Sequence, residues 1–179
     1  SLWRTFYARA VRELAEGNVL LAQPAEQMLE SYLQSAVYKE FVSRQKFAEY
    51  PFQIPLTADA DRTFIITGVI DAIAELPGDS LEIVDYKTGK VTGATAAEQG
   101  YVWQLALYKM AAEARFGKKV GGASLHFIRD HTVRALPENS SAASYKADIL
   151  ALCEEIGAKK SEAEFALRKE DCGTCPFTY

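Results

Sequence analysis

Cysteine and histidine are scarce: the 179 residues include three of the first and two of the second. Cys153, Cys172 and Cys175 form an odd set crowded toward the end of the chain. That excludes a disulfide framework and leaves thiols of a reducing compartment or part of a metal site. No apolar run approaches the ~18 residues of a membrane span, and Ser1-Leu2-Trp3-Arg4 does not begin a secretory signal. The expected address is therefore the cytoplasm, with no membrane partner. An excess of positive charge is also missing, since 20 Lys and Arg stand against 24 Asp and Glu for a net charge of −4. A grip on a polyanion by the whole surface is excluded, so any nucleic-acid contact must come from a local basic patch or a metal ion. Repeats and low-complexity segments are absent too. What is present is ordinary globular composition, 49% hydrophobic and 25% charged, in a chain long enough to bury a real core.

The pattern of apolar residues changes period along the chain. Leu2 to Glu16 has helical spacing and closes at Gly17-Asn18; Pro24 opens a second helical stretch with Met28, Leu29, Tyr32, Leu33, Ala36 and Val37 on one stripe, which Glu40 to Phe47 continues. Tyr50 to Leu56 contains two prolines and reads as an edge strand. Arg62 to Leu76, rich in Ile, Val, Phe and Thr, reads as a long strand, Pro77-Gly78-Asp79-Ser80 as a turn, and Leu81 to Lys87 as the returning strand. A helix is expected over Ala96 to Phe116, a strand over Ala123 to Arg129, a short partner at Thr132 to Leu136, and a last helix over Ala142 to Ile156. The order is that of an α/β layer fold with a mixed sheet, the helix after the hairpin acting as a crossover. The expected organisation is one domain: a helical lead-in over residues 1–47, then a core over 48–179 ending in a helix and a cysteine-containing tail.

Side chains alternate along a strand, so Leu81, Ile83, Asp85 and Lys87 share one face. Across the turn Val69, Asp71 and Ile73 share a face of the preceding strand, and a hairpin pairing around Pro77–Ser80 brings Asp71 near the level of Lys87 and toward Asp85. Two carboxylates and an ammonium at the end of an apolar hairpin are costly to bury without compensation. A hard cation such as magnesium compensates them, because it takes oxygen ligands and is commonly held by one or two carboxylates. The main-chain carbonyl of Tyr86 can add a third oxygen. Lys87 is then left to face a nucleophilic water or a scissile phosphate. The plainer alternative is an exposed salt bridge at a sheet end.

Three blocks give context: Gly68-Val69-Ile70-Asp71-Ala72-Ile73, Ile83-Val84-Asp85-Tyr86-Lys87-Thr88-Gly89-Lys90, and Gln104-Leu105-Ala106-Leu107-Tyr108. In that order they resemble the G-x-I-D, D-Y-K-T-G and Q-L-x-x-Y blocks of the RecB-type branch of the PD-(D/E)xK nuclease superfamily, the nuclease domain attached to AddA-, RecB- and UvrD-like helicases. Glu49-Tyr50-Pro51-Phe52 is similar to that family's E-x-P-F lead into its first strand. The likeness covers residues 45–135, and the blocks are specific together although each is short. It implies a restriction-endonuclease-like core, αβββαβ, with a mixed central sheet flanked by helices. It also implies Asp71 and Asp85 as metal ligands, Lys87 as the catalytic lysine, and a Gln104–Tyr108 face that positions the site and the DNA strand. Glu49 is a supporting residue by the same likeness. The implied activity is a magnesium- or manganese-dependent DNA nuclease, an exonuclease in a bacterial helicase–nuclease of repair or recombination, with DNA and a UvrD-like helicase as partners. Tyr108 can equally be read as a packing residue of an amphipathic helix, whereas Gln104, polar among Tyr101, Leu105 and Tyr108, needs a partner.

Two departures bear on this reading. RecB-type members carry a metal-binding histidine in an early helix, but here His126 and His131 both follow the catalytic block. That ligand is expected from a segment upstream of this sequence, and its absence favours the alternative of a nuclease-like DNA-binding or scaffolding module. The tail Cys172-Gly173-Thr174-Cys175-Pro176-Phe177 resembles the C-x-x-C-P-F end of relatives that hold an iron–sulfur cluster. Such clusters need four thiolates, so none is expected in this chain, and Cys153 reads as part of the last helix's apolar side.

Overall fold

The computed structural model describes residues 19–89, 96–136, 142–161 and Glu164. The expected helix at Leu2–Glu16 and the Cys172–Phe177 tail lie outside the described residues. Helix α1 (Val19–Gln34) runs on through Pro24, which sits inside it rather than opening it. Ser35 then turns extended (φ −66°, ψ 154°), and its side chain accepts from the Tyr38 amide, so a new helix, α2 (Ala36–Val42), begins where a continuous one was expected. Strand β1 (Gln45–Thr57) starts five residues before Tyr50, taking in Gln45 to Phe47, which helical spacing assigns to the preceding helix. It is followed by β2 (Thr63–Leu76) and β3 (Ser80–Lys87). Helix α3 (Ala96–Phe116) crosses over to β4 (Val120–Phe127), β5 (Thr132–Ala135) returns beside it, and α4 (Ala142–Ala158) closes the order.

The strands form one sheet in the order β1-β2-β3-β4-β5, antiparallel except for the parallel β3–β4 pair that the α3 crossover requires. This is the expected αβββαβ arrangement: a mixed sheet with helices on both faces. On one face α3 and α4 bury Leu105, Tyr108, Ala111, Ala112 and Ile149 against Ile54, Leu56, Ile70, Ile73, Leu81 and Ile83. On the other, Phe41 of α2 packs on Ala72, Ala74 and Val84. The side of α4 toward the core carries Tyr145, Ile149 and Cys153, while Leu152 and Ile156 are exposed. Among the described residues no helix is long and apolar enough to cross a membrane.

Two irregularities set up the site. The β2–β3 hairpin closes with Leu76 opposite Ser80, leaving a three-residue turn in which Gly78 (φ 81°) and Asp79 (φ 60°) take left-handed backbone. The register therefore levels Asp71 with Asp85, not with Lys87 as a longer turn implies. Second, β2 pairs with β3 only from Ala72↔Val84 to Leu76↔Ser80, whereas β1 follows β2 out to Thr57↔Thr63 and β4 follows β3 out to Lys87↔Phe127. Beyond Ala72 the sheet forks into two ribbons. At the fork the facing of β2 shifts by one residue, because Ile70 and Ile73 lie in one core and Ala72 and Ala74 in the other. The facing strand shifts at the same level: Glu49, between the pairs Ala48↔Ala72 and Tyr50↔Ile70, has φ 50°. A non-glycine residue held there stores roughly 1–2 kcal/mol of strain.

Candidate active site

Asp71, Asp85 and Lys87 meet in the crotch of this fork. Two residues beyond Val84, the amide of Tyr86 points to the side where β2 would have continued the ladder. With β2 gone, its acceptor is the Asp71 carboxylate, at 2.8 Å to Oδ2. The strand that departs thus leaves a side chain in place of its backbone. Asp85 faces α3 and is 1% exposed. The Lys87 ammonium stands 2.6 Å from Asp85 Oδ2. It approaches off the hydrogen-bonding direction, so this buried oxygen is paired by charge yet has no directed donor.

Helix α3 supplies the remaining wall. The polar partner expected of Gln104 is found on both of its ends: Oε1 accepts from Lys87 Nζ at 2.8 Å, and Nε2 donates to the Tyr108 hydroxyl at 2.8 Å. Tyr101, one turn earlier, lays its ring 4.5 Å from the Lys87 ammonium. Tyr108 is 7% exposed and joins the α3 core while its hydroxyl takes part in the polar chain through Gln104. Glu49 is exposed and lies across β1–β2 from Asp71.

The electrostatics follow from this crowding. Burial pushes the Asp85 carboxyl above its usual range, the Lys87 ammonium pulls it back, and Asp71 adds to the rise. Burial likewise raises the Tyr108 phenol; the bond from Gln104 opposes, and the carboxylates of Asp85, Asp71 and Glu49 raise it further. Glu49 thus bears on the Tyr108 phenol through its charge.

The donor set suits a hard divalent cation. Two carboxylates and the Tyr86 carbonyl offer only oxygen, and one buried carboxylate oxygen lacks a directed donor. Among the described residues no group of three His, Cys, Asp or Glu is placed to hold a metal, so the two carboxylates, the carbonyl and water would have to serve. His126 and His131 stand elsewhere, bonded to Tyr32 and Ser31 of α1.

Sequence reasoning missed Phe52. Its ring lies over Gly68, its cross-strand partner, where an added Cβ would fall 2.7 Å from two ring carbons. The same ring meets Tyr108 edge-on at 5.8 Å. The glycine of one sequence block and the phenylalanine of another are thus two halves of one contact, which backs Tyr108, Gln104 and Lys87 in turn. Their separation in sequence hid it; a glycine inside an apolar strand was the available signal.

A family model described as the PD-(D/E)XK nuclease superfamily matches residues 2–178. Among curated proteins, the chain is 36% identical over 96 residues to an ATP-dependent helicase/nuclease subunit of Carboxydothermus hydrogenoformans, covering 48% of this chain and 8% of that protein. It is 32% identical over 103 residues to the protein of the same name from Listeria monocytogenes serotype 4a, covering 50% of this chain and 8% of the relative. The chain thus spans a small part of the relatives it matches. A solved structure titled "Crystal structure of SSO0001" is similar at a TM-score of 0.49 with 17% identity, covering 95% of this chain and 80% of that one.

Proposed function

Because the chain belongs to the PD-(D/E)XK nuclease superfamily, we propose that it is a DNA nuclease domain that hydrolyses phosphodiester bonds with magnesium or manganese. The observation that carries this reading is the crotch of the fork, where Asp71, Asp85 and the Tyr86 carbonyl offer oxygen beside an ammonium held by Gln104. Members of this superfamily generally use divalent metal ions. Bound between Asp71 and Asp85, such an ion would act as a Lewis acid toward a phosphoryl oxygen and lower the pKa of a water. Lys87, 18% exposed and steadied by Gln104 and Tyr101, is set to stabilise charge on the phosphate or to orient the nucleophile. Gln104 and Tyr108 fix Lys87, and Glu49 adds negative charge at the rim. The likeness to the helicase/nuclease relatives supports an exonuclease role in a bacterial helicase–nuclease of repair or recombination, beside a UvrD-like helicase, in the cytoplasm.

A second reading is favoured by one observation: both histidines lie away from the carboxylates. On that reading the chain binds or scaffolds DNA without cutting it. Incubation of an end-labelled oligonucleotide with the protein and millimolar Mg2+ or Mn2+ separates the two. Shortening that depends on metal and is lost in Asp85→Asn supports the nuclease; binding without shortening in either metal overturns it.

A further inference from the structure

Behind the site, on the face away from Asp85 and Lys87, three rings meet. Tyr86 lies edge-on to Tyr32 at 6.0 Å and to His126 at 5.9 Å, and Tyr32 lies edge-on to His126 at 6.3 Å. Phe41 of α2 closes the group against His126 at 5.8 Å. Tyr32 and His126 are 2% and 4% exposed, and their polar atoms meet at 2.7 Å, Tyr32 hydroxyl to His126 Nδ1. Burial lowers the His126 pKa to about 4 and raises that of the Tyr32 phenol, so the imidazole is neutral and the phenol protonated. With the imidazole neutral, one of its two nitrogens carries the proton, and the Tyr32–His126 bond runs from the hydroxyl to Nδ1 or back according to the tautomer.

An apolar pair would fill this space without polar atoms to satisfy. What Tyr and His add is direction: one bond and edge-to-face rings permit a single arrangement where aliphatic chains permit several. The residue so held is the one whose backbone the site depends on. Tyr86 lacks a β2 partner, its amide carries Asp71, and its carbonyl is the third oxygen of the proposed metal site. Its neighbour on β4 is His126 itself, in the parallel pair Tyr86↔His126.

We infer that the Tyr32–His126–Tyr86 cluster is a positioning device for the divalent-metal site: by gripping the Tyr86 ring on one face of the sheet it fixes the peptide that holds Asp71 and aims Asp85 and Lys87 on the other. Tyr32 and His126 are positioning residues and touch no reacting atom. The inference rests on the metal-site reading above, and half of its test runs without metal.

In Tyr86→Leu the ring contacts go while the backbone stays. Mn2+ affinity by calorimetry is expected to fall on the order of 10-fold, the usual range for losing an outer-shell support. Without metal, amide exchange at position 86 is expected to quicken relative to the strand's other amides. Tyr86→Phe keeps the ring and should recover both to within about twofold of the parent. Ile149→Ala, a buried residue of α4 in the core on the opposite face, serves as the control. It should lower the melting temperature and leave Mn2+ affinity and exchange at residue 86 as they were. If Tyr86→Leu does not fold, Tyr32→Phe carries the test, since it keeps every ring and removes only the bond to His126. A Tyr86→Leu or Tyr32→Phe protein with parental exchange at 86 and parental Mn2+ affinity overturns the inference, as does Ile149→Ala weakening Mn2+ as much as Tyr86→Leu. A parent that binds no Mn2+ sinks the metal site, and this role with it; parental Mn2+ binding together with the exchange change in the variants supports both.

Discussion

Lys87→Ala exposes the logic of the site most directly. Asp85 is 1% exposed, and Lys87 Nζ, 2.6 Å from Oδ2, draws its pKa down. Removing one partner of a buried pair costs about 3–5 kcal/mol when the other stays ionised. Protonation limits the loss. A carboxyl kept neutral in the fold costs about 1.4 kcal/mol for each pH unit above its unfolded pKa. With the unfolded value at 3.8, the ceiling is roughly 4 kcal/mol at pH 7 and about 1.5 kcal/mol at pH 5. The sign follows from the shift: the folded pKa is raised, so the folded state holds its proton longer. Stability is full below the unfolded pKa and is lost as pH rises through the folded one. The variant should therefore be most weakened near neutrality, and the deficit should shrink toward pH 5. Lys87→Ala removes no ligand and relieves repulsion of a cation, so Mn2+ should bind as well as before or more tightly, and should raise the variant's melting point more than the parent's. Cleavage should collapse all the same. Urea denaturation at pH 5 and 7, with and without Mn2+, reads out the first three effects, and an oligonucleotide assay the fourth. A variant within ~1 kcal/mol of the parent at pH 7 and blind to added metal would mean a mere surface salt bridge. Cleavage at the parental rate would remove Lys87 from the chemistry.

Asp85→Asn takes away a charged oxygen, so Mn2+ affinity and cleavage should fall together, in contrast to Lys87→Ala; calorimetry showing undiminished binding would move the metal elsewhere. His126, with a pKa lowered to about 4, binds its proton in the unfolded chain first, so stability present above pH 6.5 is lost as pH falls toward 4, by up to about 3 kcal/mol. That slope should flatten in His126→Gln, and an unchanged slope would assign the acid sensitivity to other groups. Gly68→Ala sets a methyl 2.7 Å from Phe52 and should cost about 1–3 kcal/mol while slowing cleavage through Tyr108 and Gln104. A Phe52→Leu background should relieve both effects, and no relief would refute the contact as the cause.

The element order was legible because period and punctuation agree: alternation through Thr63–Leu76, helical spacing through α3, and Gly117, left-handed at φ 64°, where that helix was expected to end. The side-by-side projection of Asp85 and Lys87 followed from alternation alone. What alternation could not reveal is where it fails. The shift in facing between Ile70 and Ile73 is enforced by pairing with a strand that itself turns over at Glu49, and neither residue type announces it. The start of β4 at Val120, three residues before the expected Ala123, falls on Gly121 and Gly122, which have no side chain to mark a strand; a Cβ on Gly121 would lie 3.2 Å from Ser80 Oγ. The break at Ser35 needed the capping bond to be seen. The ring cluster joins residues 94 positions apart, beyond any window of local pattern, and His126 could be read only as structural.

The forked sheet also works as a reduction gear. Asp71 rides on the β1–β2 arm and Asp85 on the β3–β4 arm, and the last rung they share is Ala72↔Val84. Asp71 is one strand step from that pivot, about 3.3 Å, while Thr63 at the far end of the arm is nine steps out, roughly 30 Å. A swing that moves the tip by several ångströms is thus scaled down about ninefold at the carboxylate. The tip is further moored to α4 by Arg62 and Glu154 at 2.9 Å. For an arm that swings as a rigid body, a pull at its outer end changes the gap between the two carboxylates by only about a ninth of the tip's own movement.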